Sequence, residues 1–255
     1  MKIYPIPAFE DNYIWIVHDD QHAIVVDPGD ASPVINYLGK YNLKLIGILV
    51  THHHRDHTGG IKELFELYNT PVYGPRLENI PCLTNPLGEG DIVEFKQLNF
   101  RLNVIDIPGH TRGHIAYLWH GGMFCGDTLF TCGCGKIFEG TAEQLHHSLQ
   151  RLANQPDDTL VYCTHEYTEY NTPFALICEP NNAALKQRII DAEALRAQNK
   201  PTVPSTIQLE KATNPFLRCT EPEIIHTMEK KLGIKLPAGN EQAAFTAMRK
   251  WRDLF

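Results

Sequence analysis

The sequence predicts a mixed α/β domain followed by a smaller helical domain. Over roughly the first 165 residues, short apolar runs typical of strands alternate with loops and helical patterns. From about residue 170 onward only helical patterns remain. The length agrees with this division, because 255 residues suffice for one large domain or two modest ones.

The first predicted strands each end in a polar or glycine-containing segment. Residues 22–27 (HAIVVD) form an apolar run that stops at Pro-Gly-Asp, and Ser32 and Pro33 are expected to begin the next helix. Residues 43–51 (LKLIGILVT) form a second buried run. Residues 61–68 then place their apolar side chains at helical spacing, which predicts a strand–loop–helix unit.

The middle of the chain continues the same alternation. Residues 98–107 alternate apolar and polar side chains, which predicts a strand with one buried face. Thr141 and Gln144 match a capping box and predict the start of a helix. Three more strands are predicted at 114–119, 123–125 and 159–164.

The last third of the chain reads as helices. One is predicted around 185–192 and ends before Pro201. Thr220 and Glu223 can form a capping box for a second helix, which Gly233 would close. A final helix is predicted at 244–255.

Composition limits the classes of function. The chain is 43% hydrophobic and 21% charged, as is usual for a globular protein, and its net charge of -7 argues against nucleic-acid or anionic-membrane binding. No apolar stretch has the length of a signal peptide or a bilayer span. The seven cysteines are scattered without C-x-x-C pairs, so reduced thiols and a cytoplasmic location are expected. A monomer is the default expectation.

Residues 51–57 read THHHRDH and place four histidines and an aspartate after a buried strand. In a loop, His52 and His54 can point one way, while Asp56 and His57 point another. A single zinc ion usually takes four ligands, so this loop can begin two adjacent metal sites. His53 and Arg55 alternate with these residues and are expected to be exposed.

Further ligand-type residues follow other predicted strands. They are His110 in PGHTRGH, Asp127 in CGDTLF and His165 in CTHEY. A sheet would hold such side chains rigidly at one edge while leaving room for a substrate. The alternative for any single histidine is an ordinary hydrogen-bonded side chain, and that interpretation is taken for His146, among others. His114 is expected to support the site and not to bind metal.

This motif set resembles the metallo-β-lactamase superfamily. Its signature, T-H-x-H-x-D-H followed by His, Asp and His, is matched from Thr51 through His165. The resemblance implies an αββα sandwich of two packed sheets with helices outside.

A narrower resemblance, to the hydroxyacylglutathione hydrolase (glyoxalase II) family, covers nearly the whole chain. The segments that carry it are VDPGD at 26–30, GCGKIFEGTA at 133–142, HEYT at 165–168, NPFLR at 214–218 and the basic C-terminal helix. It implies a catalytic domain at 1–168 and a helical glutathione-binding domain at 169–255. The implied reaction is cleavage of S-D-lactoylglutathione to D-lactate and glutathione, in methylglyoxal detoxification.

The same resemblance implies two divalent metal ions, with zinc expected and iron or manganese as alternatives. His52, His54 and His110 would hold one ion. Asp56, His57 and His165 would hold the other, and Asp127 would bridge them, so Asp56 and Asp127 are the catalytic candidates. Five residues are implied to contact glutathione: Lys136, Phe138, Tyr167, Arg249 and Arg252. At Phe138 many relatives have tyrosine, and Arg252 replaces a lysine of the family motif.

The chemistry agrees with a thioester substrate. Metal ions lower the pKa of bound water from 15.7 to about 7, and they polarise a carbonyl. A thiol with a pKa near 8.5 can leave as thiolate, whereas an amine needs a proton donor, and none is evident. A lactonase, a persulfide dioxygenase and a metal-binding protein without turnover are the alternatives. A lactonase would have no use for Lys136, Tyr167 and the C-terminal cations.

Overall fold

The computed structural model describes all residues, 1–255, and contains two six-stranded sheets packed face to face. The first sheet is formed by consecutive segments: β1 Lys2–Ala8, β2 Asn12–His18, β3 His22–Val26, β4 Lys44–Leu49, β5 Val72–Pro75 and β6 Asn85–Leu87. Its strands lie in chain order. The β1–β2–β3 pairs are antiparallel, and the pairs from β3 to β6 are parallel.

The second sheet is mostly antiparallel. Its strands are β7 Ile92–Phe95, β8 Phe100–Asp106, β9 Ile115–Trp119, β10 Gly122–Gly126, β13 Leu160–Cys163 and β14 Ser205–Thr206. The spatial order is β14-β13-β10-β9-β8-β7, with only β10 and β13 parallel. A separate small ribbon joins β11 Leu129–Phe130 and β12 Gly133–Cys134.

Nine α-helices complete the chain. They are α1 Ala31–Tyr41, α2 Arg55–Thr58, α3 Ile61–Tyr68, α4 Ala142–Ala153, α5 Thr168–Cys178, α6 Ala183–Arg196, α7 Ile207–Thr213, α8 Pro222–Leu232 and α9 Glu241–Asp253. None of them combines the length and apolarity that a membrane span requires.

The alternation of side chains along β2 explains the layered core. Trp15 and Val17 face the second sheet in the larger apolar cluster, whereas Ile14 and Ile16 face α1 and α3 in a separate cluster. Both faces of this strand are therefore buried, as expected for a strand between a helical layer and another sheet. The αββα sandwich with a helical C-terminal region is confirmed.

Several local expectations are confirmed. Thr141 and Gln144 form both hydrogen bonds of the capping box at α4. Gly233 closes α8 in the left-handed conformation, with φ +66°. The strands predicted at 22–27, 43–51 and 98–107 are present, each with slightly shorter bounds.

Two predicted helix caps are wrong. The cap of α1 is Asp30, whose carboxylate accepts from the Ser32 amide, so that the helix starts before Pro33. Helix α8 starts after Glu221 with no side-chain cap, so Thr220 and Glu223 form no box there. In α1 the Asp30 carboxylate takes the capping role in place of Ser32. In α8 Pro222 occupies the first helical turn, where its missing N–H needs no partner.

Candidate metal centre and adjoining pocket

The histidines and aspartates singled out in the sequence converge at one edge of the sandwich. His52 and His54 follow β4, and Asp56 and His57 lie in the short helix α2 directly after them. The other three follow strands of the second sheet: His110 after β8, Asp127 after β10 and His165 after β13. Two sheets thus deliver side chains to a single cleft.

Three imidazoles form the first group. His54 Nδ1 lies 3.1 Å from His52 Nε2 and 3.0 Å from His110 Nε2. His52 and His110 are buried, and His54 is half-buried. Three ring nitrogens at such short separations can all reach one ion.

The second group contains Asp56, His57 and His165, whose ligand atoms also lie within 4.8 Å of one another. Asp56 Oδ2 is 3.4 Å from both His57 Nε2 and His165 Nε2. Asp127 lies between the two groups: its Oδ2 is 3.4 Å from His165 Nε2 and 3.6 Å from His110 Nε2. Its position is that of a carboxylate able to bridge two ions.

Buried atoms without partners indicate that this cluster fits metal ions. Both ring nitrogens of His57 and Oδ1 of Asp127 are buried without a hydrogen bond. Such groups cost free energy when unsatisfied, and a bound cation would satisfy them. The donor set of imidazole nitrogens and carboxylate oxygens suits a first-row divalent metal.

The cluster is electrostatically coupled in the metal-free chain. Burial alone would raise the pKa of Asp127. The neighbouring His165 and His57 outweigh this effect and hold that pKa well below its ordinary value. The carboxylates of Asp127 and Asp27 in turn outweigh burial and raise the pKa of His57. Burial lowers the pKa of His52 well below its ordinary value, so that ring is neutral and available as a ligand.

The outward nitrogens of two ligand rings are held by acceptors. His110 Nδ1 donates to the Lys136 carbonyl over 2.7 Å, and His165 Nδ1 lies 2.7 Å from Asp11 Oδ1. Asn12 donates to Asp56 Oδ2 over 3.0 Å. Contacts of this kind fix the ring orientation and tautomer of a metal ligand. Sequence reasoning missed Asp11 and Asn12, since an Asp-Asn pair at the junction of the β1–β2 turn and β2 carries only a turn signal.

Asp27 has contacts that go beyond a turn. It adopts a left-handed conformation with φ +53°, and its carboxylate accepts from the Thr51 amide and hydroxyl, each over 2.7 Å. Its Oδ2 also lies 3.1 Å from His57 Nδ1, although the two atoms are not aligned as a hydrogen bond. These contacts indicate that Asp27 positions Thr51 and His57 in addition to forming the turn after β3.

His114 and His53 lie beside the cluster. His114 accepts from the Asp127 amide over 3.1 Å, which agrees with the supporting role predicted for it. His53 is only partly exposed, contrary to expectation, because its ring nitrogens lie 3.0 Å from Glu78 and 3.2 Å from Glu139. Arg55 is exposed as predicted.

The glycine before Asp127 is required by the close packing there. Gly126 has φ +47°, and a Cβ at this position would lie 2.4 Å from Thr51 Oγ1 and 2.8 Å from the His114 ring. No other residue fits without moving that loop. Gly126 thus fixes the backbone from which Asp127 points into the cluster.

Comparisons with known proteins place the chain in a family. The metallo-beta-lactamase superfamily model matches residues 8–165, and the model of the hydroxyacylglutathione hydrolase C-terminus matches residues 166–255. A hydroxyacylglutathione hydrolase of Nitrosomonas eutropha is 51% identical over 100% of this chain and 99% of its own length. The chain belongs to the hydroxyacylglutathione hydrolase family.

A second relative and a solved structure are similar to this chain over nearly the same span. The protein of that name from Shewanella halifaxensis is 49% identical over the full length of both chains. Among solved structures, ETHE1 from Myxococcus xanthus has a TM-score of 0.66 with 27% identity, and the match covers 98% of each chain.

A pocket of about 200 Å³ opens next to the cluster of histidines and aspartates. It brings together four of the five residues expected to contact substrate: Lys136, Tyr167, Arg249 and Arg252. The Tyr167 ring stacks on His165 with a centroid distance of 4.6 Å, so the pocket directly adjoins the cluster.

The two arginines of the pocket differ in their surroundings. Arg249 is only 6% exposed, donates to the Cys134 carbonyl over 3.3 Å, and pairs with Asp253 at 2.9 Å. Arg252 is less buried and lies over the rings of Tyr170 and Phe174, at 4.6 and 5.5 Å from their centroids. Arg252 therefore has more freedom to meet an anion, whereas Arg249 also has a structural role.

Phe138 is not among the pocket residues. It is 60% exposed, and its ring meets those of His54 and His110 edge to face, at 5.2 and 5.3 Å. It thus lies beside the mouth of the cluster and within 5.6 Å of the Lys136 ammonium.

Proposed function

We propose that this chain is a thioester hydrolase that cleaves a 2-hydroxyacylglutathione, with S-D-lactoylglutathione as the substrate to be tested. The observation that carries the proposal is the position of the cationic pocket directly beside a cluster of seven metal-type ligands. Full-length similarity to hydroxyacylglutathione hydrolases supports it. The products are a hydroxy acid, here D-lactate, and glutathione.

Two divalent ions would be held by the ligand set. His52, His54 and His110 would bind one, and Asp56, His57 and His165 the other, with Asp127 shared between them. Zinc is proposed, with iron and manganese as alternatives that the same donors accept. Such ions supply hydroxide at neutral pH and Lewis acidity toward the thioester carbonyl.

The chain itself contributes charge balance and orientation. Asp56 and Asp127 place negative charge between the imidazoles and are the proposed catalytic carboxylates. Asp11 and the Lys136 carbonyl hold the His165 and His110 rings at fixed angles. A preformed site of this kind needs little reorganisation when charge develops on the carbonyl oxygen.

The pocket accounts for recognition of glutathione. The carboxylates of glutathione are anions, whereas the protein carries a net charge of -7. Local cations are therefore required to attract the ligand. Lys136 and Arg252 are proposed to supply that charge, while Arg249 is proposed both to contact the ligand and to hold the Cys134 backbone. Tyr167 would pack against the peptide near the ligand rings.

Thioester chemistry suits the residues that surround the cluster. The leaving glutathione thiol has a pKa near 8.5, so it can depart as thiolate without a dedicated acid. A lactonase would have no use for a cationic pocket. A persulfide dioxygenase would use one iron and leave several of the seven converging side chains idle. The names of the full-length relatives support hydrolysis.

Three further points belong to the same proposal. The catalytic domain is proposed to end near residue 168 and the glutathione-binding helical domain to follow from 169. The protein is proposed to act as a monomer. A cytoplasmic location is proposed because all seven cysteines are free thiols, six of them buried.

The test combines metal analysis with an assay. Purified protein should contain about two divalent ions per chain by elemental analysis, and it should hydrolyse S-D-lactoylglutathione faster than a lactone or an amide of similar size. The protein should not consume oxygen when glutathione persulfide is supplied as the substrate. Preferred turnover of the lactone, or oxygen consumption with the persulfide, would support the corresponding alternative.

A further inference from the structure

A second group of metal-type donors lies outside the centre described above. It consists of His146 in α4, Cys219 in the turn before α8, and Glu241 in the first residue of α9. One ligand atom from each residue lies within 4.8 Å of the other two. None of the three lines the substrate pocket.

The hydrogen bonds of His146 leave a lone pair directed at this group. Its Nδ1 lies 2.9 Å from Gln242 Oε1, an acceptor, so Nδ1 carries the proton in the neutral ring. The other nitrogen, Nε2, then presents its lone pair to Glu241 Oε1 at 3.3 Å. An imidazole lone pair and a carboxylate oxygen at this distance can both bind the same cation.

The ring is held in this orientation by packing. His146 is buried and stacks on Phe245, with ring centroids 4.8 Å apart and planes 24° from parallel. Cys219 is only 1% exposed, and its thiol has a weak contact to the Glu241 carbonyl, 3.8 Å away. The Glu241 side chain is 45% exposed and can admit an ion from solvent.

We propose that His146, Cys219 and Glu241 bind one Zn²⁺ or a similar thiophilic divalent cation. Thiolate sulfur, imidazole nitrogen and carboxylate oxygen are the donors zinc takes in proteins, and water can complete a tetrahedral set. A thiolate and a carboxylate together neutralise the charge of the ion, which suits a half-buried position. This site is independent of the proposed hydrolase activity.

Binding requires loss of one proton. Burial, helped by the Glu241 carboxylate, raises the pKa of the Cys219 thiol to about 12 in the metal-free chain. Coordination to a divalent ion deprotonates a thiol outright, and the proton passes to solvent. No oxidation is involved.

An ion at this position would join two parts of the fold. His146 belongs to the helix that follows the Lys136 and Phe138 segment, while Glu241 begins the helix that carries Arg249 and Arg252. The ion would therefore restrain the two sides from which the pocket residues arise. A structural restraint of that kind is the role assigned here.

Cobalt(II) provides a readout specific to this site. The His/Asp centre has no sulfur ligand, so a thiolate-to-cobalt charge-transfer absorption requires a site that includes a cysteine, and among the groups of metal-type donors only this one does. Full-length protein with its main centre already loaded is titrated with cobalt, and a further equivalent is expected to produce that band. Cys219→Ala should abolish the band, and Cys178→Ala, which removes an equally buried thiol outside any donor group, should retain it.

Glu241→Gln provides a test that does not disturb the interior, because this side chain is 45% exposed. It should raise the Kd for cobalt about tenfold or more, equivalent to about 1.4 kcal/mol. Absence of the band in the parent protein, a band that persists in Cys219→Ala, or an unchanged Kd in Glu241→Gln would each overturn the proposal. Hydrolase activity is not part of the measurement, so the two proposals fail separately.

Discussion

The carboxylate of Asp11 lies 2.7 Å from His165 Nδ1, on the side of the ring opposite the ligand cluster. The two residues are 154 positions apart in the chain, and they meet because the β1–β2 turn packs against the end of β13. Asp11 thereby fixes the orientation of a proposed metal ligand.

Asp11→Asn is expected to reduce activity and affinity for the second metal by roughly 10- to 100-fold, the usual cost of losing an outer partner of a ligand histidine. The asparagine amide would present N–H groups to His165 Nδ1, which itself carries a proton, so the contact that orients the ring would be lost. Metal content after dialysis and kcat measure the effect. Glu10→Gln, at the exposed neighbouring position, is the control, and equal behaviour of the two variants would remove Asp11 from the site.

Asp127→Asn tests the proposed bridge between the two metal ions. A neutral amide holds two cations poorly, so this variant should lose most of its activity and should bind fewer than two ions per chain. Elemental analysis and the thioester assay measure both effects. Asp20→Asn alters a carboxylate whose side chain is 94% exposed, and it should leave metal content unchanged. Two retained metals with normal turnover in Asp127→Asn would contradict the two-metal proposal.

Arg252→Ala tests capture of glutathione. Loss of this cation should raise KM several-fold, which corresponds to a loss of about 1 kcal/mol or more of binding free energy. The values of kcat and metal content should change little. In the parent protein KM should also rise with salt, since screening weakens the attraction. Lys250→Ala is the matched control, because Lys250 is an exposed cation of the same helix outside the pocket.

The corresponding change at Arg249 is a poorer probe. Its guanidinium is buried against Cys134 and Asp253, so Arg249→Ala is expected to lower stability as well as affinity. An unchanged KM in Arg252→Ala, together with an unchanged salt dependence, would exclude Arg252 as the anchor for the ligand.

Phe138→Tyr adds a hydroxyl at the mouth of the cluster. The ring is 60% exposed and lies near both Lys136 and the ligand histidines, so the hydroxyl can reach a substrate peptide without crowding the core. KM should fall modestly, and kcat should not change. Steady-state kinetics on the glutathione thioester provide the measurement, and a KM that does not fall would show that the added hydroxyl forms no favourable contact with substrate.

Glu210→Gln tests the buried network behind the pocket. Glu210 accepts from Arg188 over 2.6 Å, from the Cys132 amide over 3.0 Å and from Asn214 over 3.0 Å, and both ionic side chains are buried. Leaving Arg188 without its partner charge should cost about 3–5 kcal/mol of unfolding free energy.

The control for this stability measurement is Asp157→Asn, which breaks an exposed pair with Lys211 and should cost about 0–1 kcal/mol. Urea unfolding of the two variants compares them directly. A loss below about 1 kcal/mol in Glu210→Gln would mean that the pair contributes little, as exposed pairs usually do.

The proposed ligand set and the type of fold could be predicted from local sequence patterns. His52, His54, Asp56 and His57 lie in one loop, and His110, Asp127 and His165 each follow an apolar strand, so local pattern sufficed to single them out. The capping box at Thr141 and the C-cap at Gly233 were also readable, because both depend on contacts within one turn.

The side chains that support those proposed ligands could be identified only from the packing of the sheets and helices. Asp11, Asn12 and Asp27 reach the cluster across strand ends that are distant in the chain, and the burial of Arg249 depends on the loop around Cys134. Likewise, His146 looked like an ordinary histidine until α4, α8 and α9 packed together and brought Cys219 and Glu241 to it. Periodicity and capping record local geometry, whereas such contacts arise from how the sheets and helices pack, which no short stretch of sequence encodes.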